Sequence, residues 1–474
     1  MQKIYWGDIH RQTAWTCGEG TVDDHFAVAK AYFGLDFAAV TDNARLEDPR
    51  ERLFPGERLR DHRHFLGGLT AHSISQSQWL EVQAAVQRHT DPGRFVAFLG
   101  YEWCSARYGD HNVYYAADQG PLLLPDRLEE LYAEYGHRQR LIVPHHPGYA
   151  RGRRGVNWNV HAPAHERLVE IHSTQHGSSE GLEPFTPRLY SRSMGGLEPG
   201  SSVQDALQRG YKLGFTGGSD SHALKQKSGL VGVYADELTR AALFNGMRQR
   251  CTIATTGPKF AGSFHLEGHG PGSLLALDYL PAFTVEVPET GWEEVQLIRN
   301  GQMAARWKLG APEPLVYQET ASGLRPDNYY YVRVLLADGE QAWISPIWVS
   351  YLPDTEFAKD TLYWLPEGDV LFWGQKLDAQ TVKLQAVNHR RAKSAVEIVA
   401  WQLMDTANEV VWEERQTGQL RAGQQVEITA DAGRLTEGVR HALVYRDADD
   451  NTRRVVRSRL LQAGETTVFP YAGE

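Results

Sequence analysis

The stretch YWGDIHRQTAW, residues 5–15, opens as an apolar strand and turns at once into acid, imidazole, guanidinium and amide. Ile4, Tyr5 and Trp6 suit a buried strand, and Asp8, His10, Arg11 and Gln12 follow where that strand would end. The same change recurs along the first half of the chain. Phe37-Ala-Ala-Val40 runs into Thr41-Asp42, Phe95–Leu99 into Gly100-Tyr101-Glu102, and Leu141-Ile-Val143 into Pro144-His145-His146. Leu168–Ile171 contains Glu170 and ends at His172, and Leu213–Thr216 leads to Gly217-Gly-Ser-Asp220-Ser-His222. Helical signals lie between these runs. Thr21 caps one helix, with Asp24 three residues on, and Gly34 closes it; a second covers Trp79–His89, and a third Leu128–Tyr135. Strands alternating with helices predict a parallel α/β barrel, whose strand ends converge from distant parts of the sequence to build a site.

Composition narrows the function. The 474 residues carry 49 basic against 59 acidic side chains, a net charge of −10, which argues against a nucleic-acid partner. A run of about 18 apolar residues is missing, so no membrane partner is expected. Three cysteines without a CxxC spacing, and no visible leader peptide, predict a reduced, cytoplasmic protein. Of 19 histidines, 15 lie at or before His222, and of 13 tryptophans, 8 lie after residue 290, so the two parts differ in task. From residue 263 the period changes to two, with hairpin signals at Asn300-Gly301 and Asp338-Gly339. This predicts a barrel over 1–262 and two β-sandwich-like modules, 263–352 and 353–474.

The polar strand ends suit a metal site. A carboxylate beside an imidazole orients it or shares its metal, as Asp8 would for His10. Asp220 and His222 are spaced two apart, as are Glu170 and His172, so each pair would share one face of a strand. Glu102 is placed to bridge two metals across an activated water. His111 begins a further strand-like run. Of His145 and His146, neighbours on a strand, one is expected to ligate, His145 by slight preference because Pro147 restrains His146. His176 sits in a Gly-Ser loop as a substrate-side group, and His62, His64 and His72 are expected at the surface. Arg151, Arg153 and Arg154 in GYARGRRG suit an anionic substrate. No nucleophile elbow, phosphate-binding loop or dinucleotide fingerprint is present.

Taken in order, GDIHRQT, LDFAAVTDN, GYEW, VPHHP and GGSDSH resemble the motifs of the PHP (polymerase and histidinol phosphatase) superfamily. Longer blocks, such as LVEIHSTQHGSSE, are similar to a large bacterial branch of it. The resemblance implies a distorted (β/α)7 barrel in which two or three divalent metals hydrolyse phosphoesters. It places ligands at His10, Glu102, His111, His145 or His146, Asp220 and His222. The chain departs where the superfamily has His-x-His, here His10-Arg11-Gln12, and Asp-His, here Asp42-Asn43. Amide oxygens bind hard ions but serve zinc-like ions poorly. One or two ions (Mn, Zn or Fe) are therefore expected, Gln12 among the weaker donors. The resulting expectation is a metal-dependent phosphoesterase acting on a small anionic molecule. His10, Asp220 and His222 would hold one metal, and His111 with His145 another. Asp42 or Glu170 would move a proton, and Arg11, Arg153 and Arg154 would meet the anion. The rivals are hydrolysis of an amide, lactone or glycoside, and a non-catalytic protein whose β modules bind a carbohydrate or partner.

Overall fold

The computed structural model describes residues 3–44, 73–181, 193–226, 229–352, 370–377, 381–388, 392, 394–405, 408–415, 418–431 and 439–458; His62, His64 and His72 lie outside them. The strand runs form where apolar residues cluster. Up to residue 262 these are β1 (Lys3–Asp8), β2 (Phe37–Val40), β3 (Val96–Trp103), β4 (His111–Tyr115), β5 (Arg140–Pro144), β6 (Leu168–Ser173), β7 (Gly177–Ser178), β8 (Gly214–Gly218), β9 (Leu230–Ala235) and β10 (Thr252–Thr255). The expected Thr21 cap is present, and a second, not read from the sequence, precedes the next helix. Thr21 and Asp24 form a reciprocal capping box on helix Val22–Ala27, and Ser75 and Gln78 form one on helix Gln76–His89.

The pairing overturns the expected (β/α)7 barrel. β1, β2 and β3 are parallel, as are β6 and β8. However, β4 runs antiparallel to β3, β5 to β4, β9 to β1, and β10 to β9. Among the described residues, 26 strands stand against five α-helices of 6 to 14 residues, so the chain is mainly β with a mixed sheet rather than α/β. Connection length explains part of this. Only residues 104–110 join β3 to β4, and a parallel return needs a crossover of about a dozen residues or more. Phe37, Ala39, Val96, Phe98, Leu141, Val143, Leu168, Val231 and Val233 form the core beneath these strands, with Leu243, Phe244 and Met247 of helix Arg240–Arg248 packed on it.

The chain divides into two compact units. The first takes Met1–Gly262, Val287–Ala311 and Tyr331–Pro346, and the second takes Ser263–Glu286, Pro312–Tyr330 and Ile347–Glu474. Thus 287–311 and 331–346, read from sequence as part of a separate module, go with the first unit. In the second unit, Val370, Phe372, Val382 and Leu384 share one core with Ile398, Trp401, Leu403, Leu443 and Tyr445, so two antiparallel sheets face each other. Trp292, Trp343, Trp348 and Trp401 are buried, in keeping with core rather than sugar-binding aromatics. No helix of the described residues is long and apolar enough to cross a membrane.

His441 gives the second unit a pH dependence. It lies fully buried beside Phe372, at 5.1 Å between ring centres. Burial, and then the charge of Arg457, lowers its pKa to about 3. The unfolded imidazole titrates near 6.5, so protonation favours the unfolded chain between those values. The stabilisation is complete above about pH 6.5 and is lost progressively below it, a term on the order of a few kcal/mol by pH 4. Urea midpoints of the full chain measured from pH 7.5 to 4.5 should fall with acid, and His441→Leu should flatten that slope. An unchanged slope in the variant would remove His441 as its source.

Candidate metal centre

The strand ends do converge. His10, just past β1, places Nδ1 2.8 Å from Glu170 Oε2, and Nε2 3.3 Å from Asp220 Oδ1 and 3.6 Å from Glu102 Oε2. His145 Nε2 lies 3.1 Å from Glu102 Oε1, and its Nδ1 lies 4.0 Å from Glu170 Oε1. His146 Nε2 and His176 Nε2 approach Asp220 Oδ2 at 3.2 and 2.6 Å. Tyr149 Oη holds His176 from behind, 2.6 Å from Nδ1. Four sets of donors each have ligand atoms within 4.8 Å of one another: Glu102, Asp110, His145 and His146; His10, His145 and Glu170; His146, His176 and Asp220; and His10, Glu102 and Asp220.

Local backbone makes this possible. β5 ends at Pro144, and His146 then adopts φ 54°, which breaks strand alternation and brings both neighbouring histidines inward. The expectation that only one of them faces the site fails for that reason. Asp220 and Arg154 are also left-handed, at φ 47° and 71°. Each such residue costs roughly 1–2 kcal/mol, strain of the kind that gathers at functional sites. Gly218 lets two strands close: a Cβ there would lie 2.5 Å from Glu170 Oε2 and 2.8 Å from His10 Cβ.

Other expected residues serve differently. Asp8 is buried and accepts from Arg11 Nη1 at 2.8 Å, Ser219 Oγ at 2.7 Å and the His10 backbone N–H at 3.2 Å, so it fixes the Asp220 loop and is itself in none of the donor sets. Arg11 is fully buried, donating to Asp8, to His25 Nδ1 at 3.0 Å and to the Leu224 carbonyl at 2.8 Å, which occupies it away from any anion. Gln12 donates to Glu102 Oε2 at 2.6 Å and accepts from Thr16 at 2.8 Å. Asp42 accepts from the Thr13 backbone at 2.7 Å and hydroxyl at 2.8 Å. Burial pushes its pKa up to about 6 against those donors, but it anchors the 12–16 loop and joins none of the four sets. His111 turns from the cluster. Its Nδ1 is 2.9 Å from the Gly109 carbonyl and its Nε2 3.3 Å from Glu166 Oε1, which also accepts from Tyr132, while Glu166 Oε2 meets His161. His172 is separated from Glu170 by a bulge: Glu170 pairs with Thr216 and His172 with Gly217, which leaves Ile171 extra. The shared face is lost, and His172 stacks near Trp343, 6.1 Å away, where burial lowers its pKa to about 4.

β8 ends at Gly218, so Asp220 and His222 do not share a strand face either. His222 lies at the rim, its side chain 40% exposed, 3.9 Å from Asp220 and 3.4 Å from Cys17 Sγ. Arg153 is half-buried beside Gly195. Arg154 pairs with Asp110 Oδ2 at 2.6 Å and Glu102 Oε1 at 2.8 Å. Asp110 and Tyr149 were not singled out by the sequence pattern. Asp110 directly precedes His111 in GDHN, and Tyr149 lies in the GYARGRRG loop, so adjacency to candidate residues was the available signal.

The donor set fits a cation. His10 Nε2, both ring nitrogens of His145, His146 Nδ1 and Glu170 Oε1 are buried and make no well-aligned hydrogen bond, although carboxylates stand 3.1 Å from His145 Nε2 and 3.3 Å from His10 Nε2. Buried polar atoms are normally paired. Four carboxylates, Glu102, Asp110, Glu170 and Asp220, are buried around a single guanidinium, Arg154. Imidazole nitrogen with carboxylate oxygen suits zinc, manganese or iron. Burial lowers the pKa of His146 well below the ordinary value, helped by His145 and His176, which keeps its ring neutral and able to ligate.

A family profile described as "Protein of unknown function (DUF3604)" matches residues 51–116 and 222–267, stretches that include Glu102, Asp110 and His222. The chain is similar to an uncharacterized protein of Chlamydia pneumoniae, 23% identical over 313 residues, covering 58% of this chain and 50% of that protein. It is also similar to an uncharacterized protein of Chlamydia trachomatis serovar D, 23% identical over 385 residues, covering 73% of this chain and 57% of the relative. The chain spans about half the length of these curated relatives. Among solved structures, fibronectin(III)-like modules of Clostridium thermocellum CbhA match at 13% identity and a TM-score of 0.18, covering 44% of this chain and 98% of theirs; a score that low carries no argument.

Proposed function

We propose that the chain is a metal-dependent hydrolase, with a small phosphoester as the first substrate class to test. The supporting observation is the convergence of His10, Glu102, His145, His146, Glu170, His176 and Asp220, buried, with imidazole nitrogens that make no well-aligned hydrogen bond among carboxylates. These residues would hold one or two divalent ions. Such an ion supplies a water acidic enough to form hydroxide near neutral pH. The chain's own groups set the geometry. Glu170 orients His10 through Nδ1, and Tyr149 orients His176 in the same way. Asp8 and Ser219 hold the Asp220 loop. His222, Cys17 and Asn43 lie along the more open side, where a substrate would enter, and His222 could pass a proton there. Three free thiols suit a reducing compartment such as the cytoplasm.

One observation favours a second bond class. Of the arginines read as anion contacts, Arg11, Arg151 and Arg154 each stand beside a carboxylate, which leaves Arg153 to meet a negative substrate. An amide, lactone or glycoside needs no such cation. The deciding experiment is metal analysis of chain purified without chelator, followed by a panel of phosphoesters, lactones, amides and glycosides with and without EDTA. Phosphate release that EDTA stops and metal restores is the expected result. Turnover confined to neutral substrates would select the second class. Failure to bind manganese, zinc or iron at saturating concentration would end the metal-centre reading.

A further inference from the structure

The loop GYARGRRG, residues 148–155, leaves the His145–His146 pair and returns Arg154 to it. Arg154 takes φ 71° and its side chain is only 16% exposed. Its Nε lies 2.6 Å from Asp110 Oδ2, its Nη2 2.8 Å from Glu102 Oε1 and 3.4 Å from Cys104 Sγ. Glu102 and Asp110 belong to the one donor set, with His145 and His146, that contains a carboxylate pair held by a guanidinium. Glu170 and Asp220, by contrast, pair only with imidazoles among the described residues.

Glu102 is engaged at both oxygens. Oε1 accepts from Arg154, and Oε2 accepts from the Gln12 amide at 2.6 Å. A carboxylate bridging two metals would offer one oxygen to each. Here fixed protein donors stand on both, and one carries a permanent positive charge, because a guanidinium does not lose its proton in proteins. Resting on the metal-centre reading, we propose that Arg154 takes the charge position of a second ion. One of the two carboxylate charges in the Glu102–Asp110–His145–His146 set is then balanced by the chain itself. A single divalent ion belongs to the side built by His10, Glu170 and Asp220, where His10 Nε2 and Glu170 Oε1 are buried and make no well-aligned hydrogen bond. The neutral Gln12 agrees with this, since it adds a donor to Glu102 and no ligand charge.

The test counts ions. Full-length chain is incubated with excess zinc or manganese, desalted, and measured by mass spectrometry, beside Arg154→Met and Arg154→Lys. Wild type should carry one ion per chain and Arg154→Lys one. Arg154→Met, which keeps length and removes charge, should carry two, with melting raised by metal more than in wild type. Two ions in wild type, or one in a folded Arg154→Met, would overturn the role of Arg154 and leave the metal centre standing. If Arg154→Met does not fold, the wild-type count still decides: one supports the proposal and two refutes it. No ion in wild type would instead refute the metal centre.

Discussion

Glu102→Ala is expected to weaken metal binding about 10–100-fold, and to remove any metal-dependent turnover with it. Loss of an outer partner of a metal ligand costs that much, and Glu102 stands in that position beside His10 and His145. It accepts from Gln12 at 2.6 Å and Arg154 at 2.8 Å, and faces His145 at 3.1 Å and His10 at 3.6 Å. Burial would raise its pKa, but His145, His10 and Arg154 hold it well below the usual carboxylate range. It is therefore an anion wherever the protein is folded near neutral pH. Glu102→Gln separates charge from packing, because it fills the same space and keeps an acceptor for Arg154. Calorimetric titration with zinc or manganese should show both variants weakened, the alanine variant further. Affinity within threefold of wild type in both would mean that Glu102 only packs against the site.

The largest loss of stability should come from Glu180→Ala, about 3–5 kcal/mol, the usual result of removing one partner from a buried ion pair. Glu180 and Arg333 are 1% and 2% exposed and 3.1 Å apart. The carboxylate also takes the Trp343 indole N–H at 2.6 Å and the Tyr331 hydroxyl. Arg333 donates in turn to Gln296 at 2.8 Å, and Gln204 to the Tyr331 hydroxyl at 2.8 Å. Alanine strands a buried guanidinium and an indole donor together, whereas Glu180→Gln keeps an acceptor and should cost less. Urea unfolding of the three proteins reads this directly. A loss under about 1 kcal/mol would show that water replaces the carboxylate at little cost.

The local chemistry of this chain was open to reading from its residues. Apolar runs such as Phe37–Val40 became strands, and Thr21 with Asp24 became a cap. Each of these depends on neighbours within a few positions, and the side-chain period carries that information. Strand direction does not. An apolar run reads alike whether it pairs parallel or antiparallel; the short 104–110 connection accounts for the reversal of β4, whereas the directions of β5, β9 and β10 are set only in the assembled sheet. The bulge at Ile171 and the left-handed turns at His146 and Asp220 then reset which side chains face inward, excluding His172 and admitting His146. His111 met Glu166, Arg154 met Asp110, and Glu180 met Arg333, a partner 153 residues away. A buried charge takes whichever opposite charge the closed backbone sets beside it, and that pairing exists only in three dimensions.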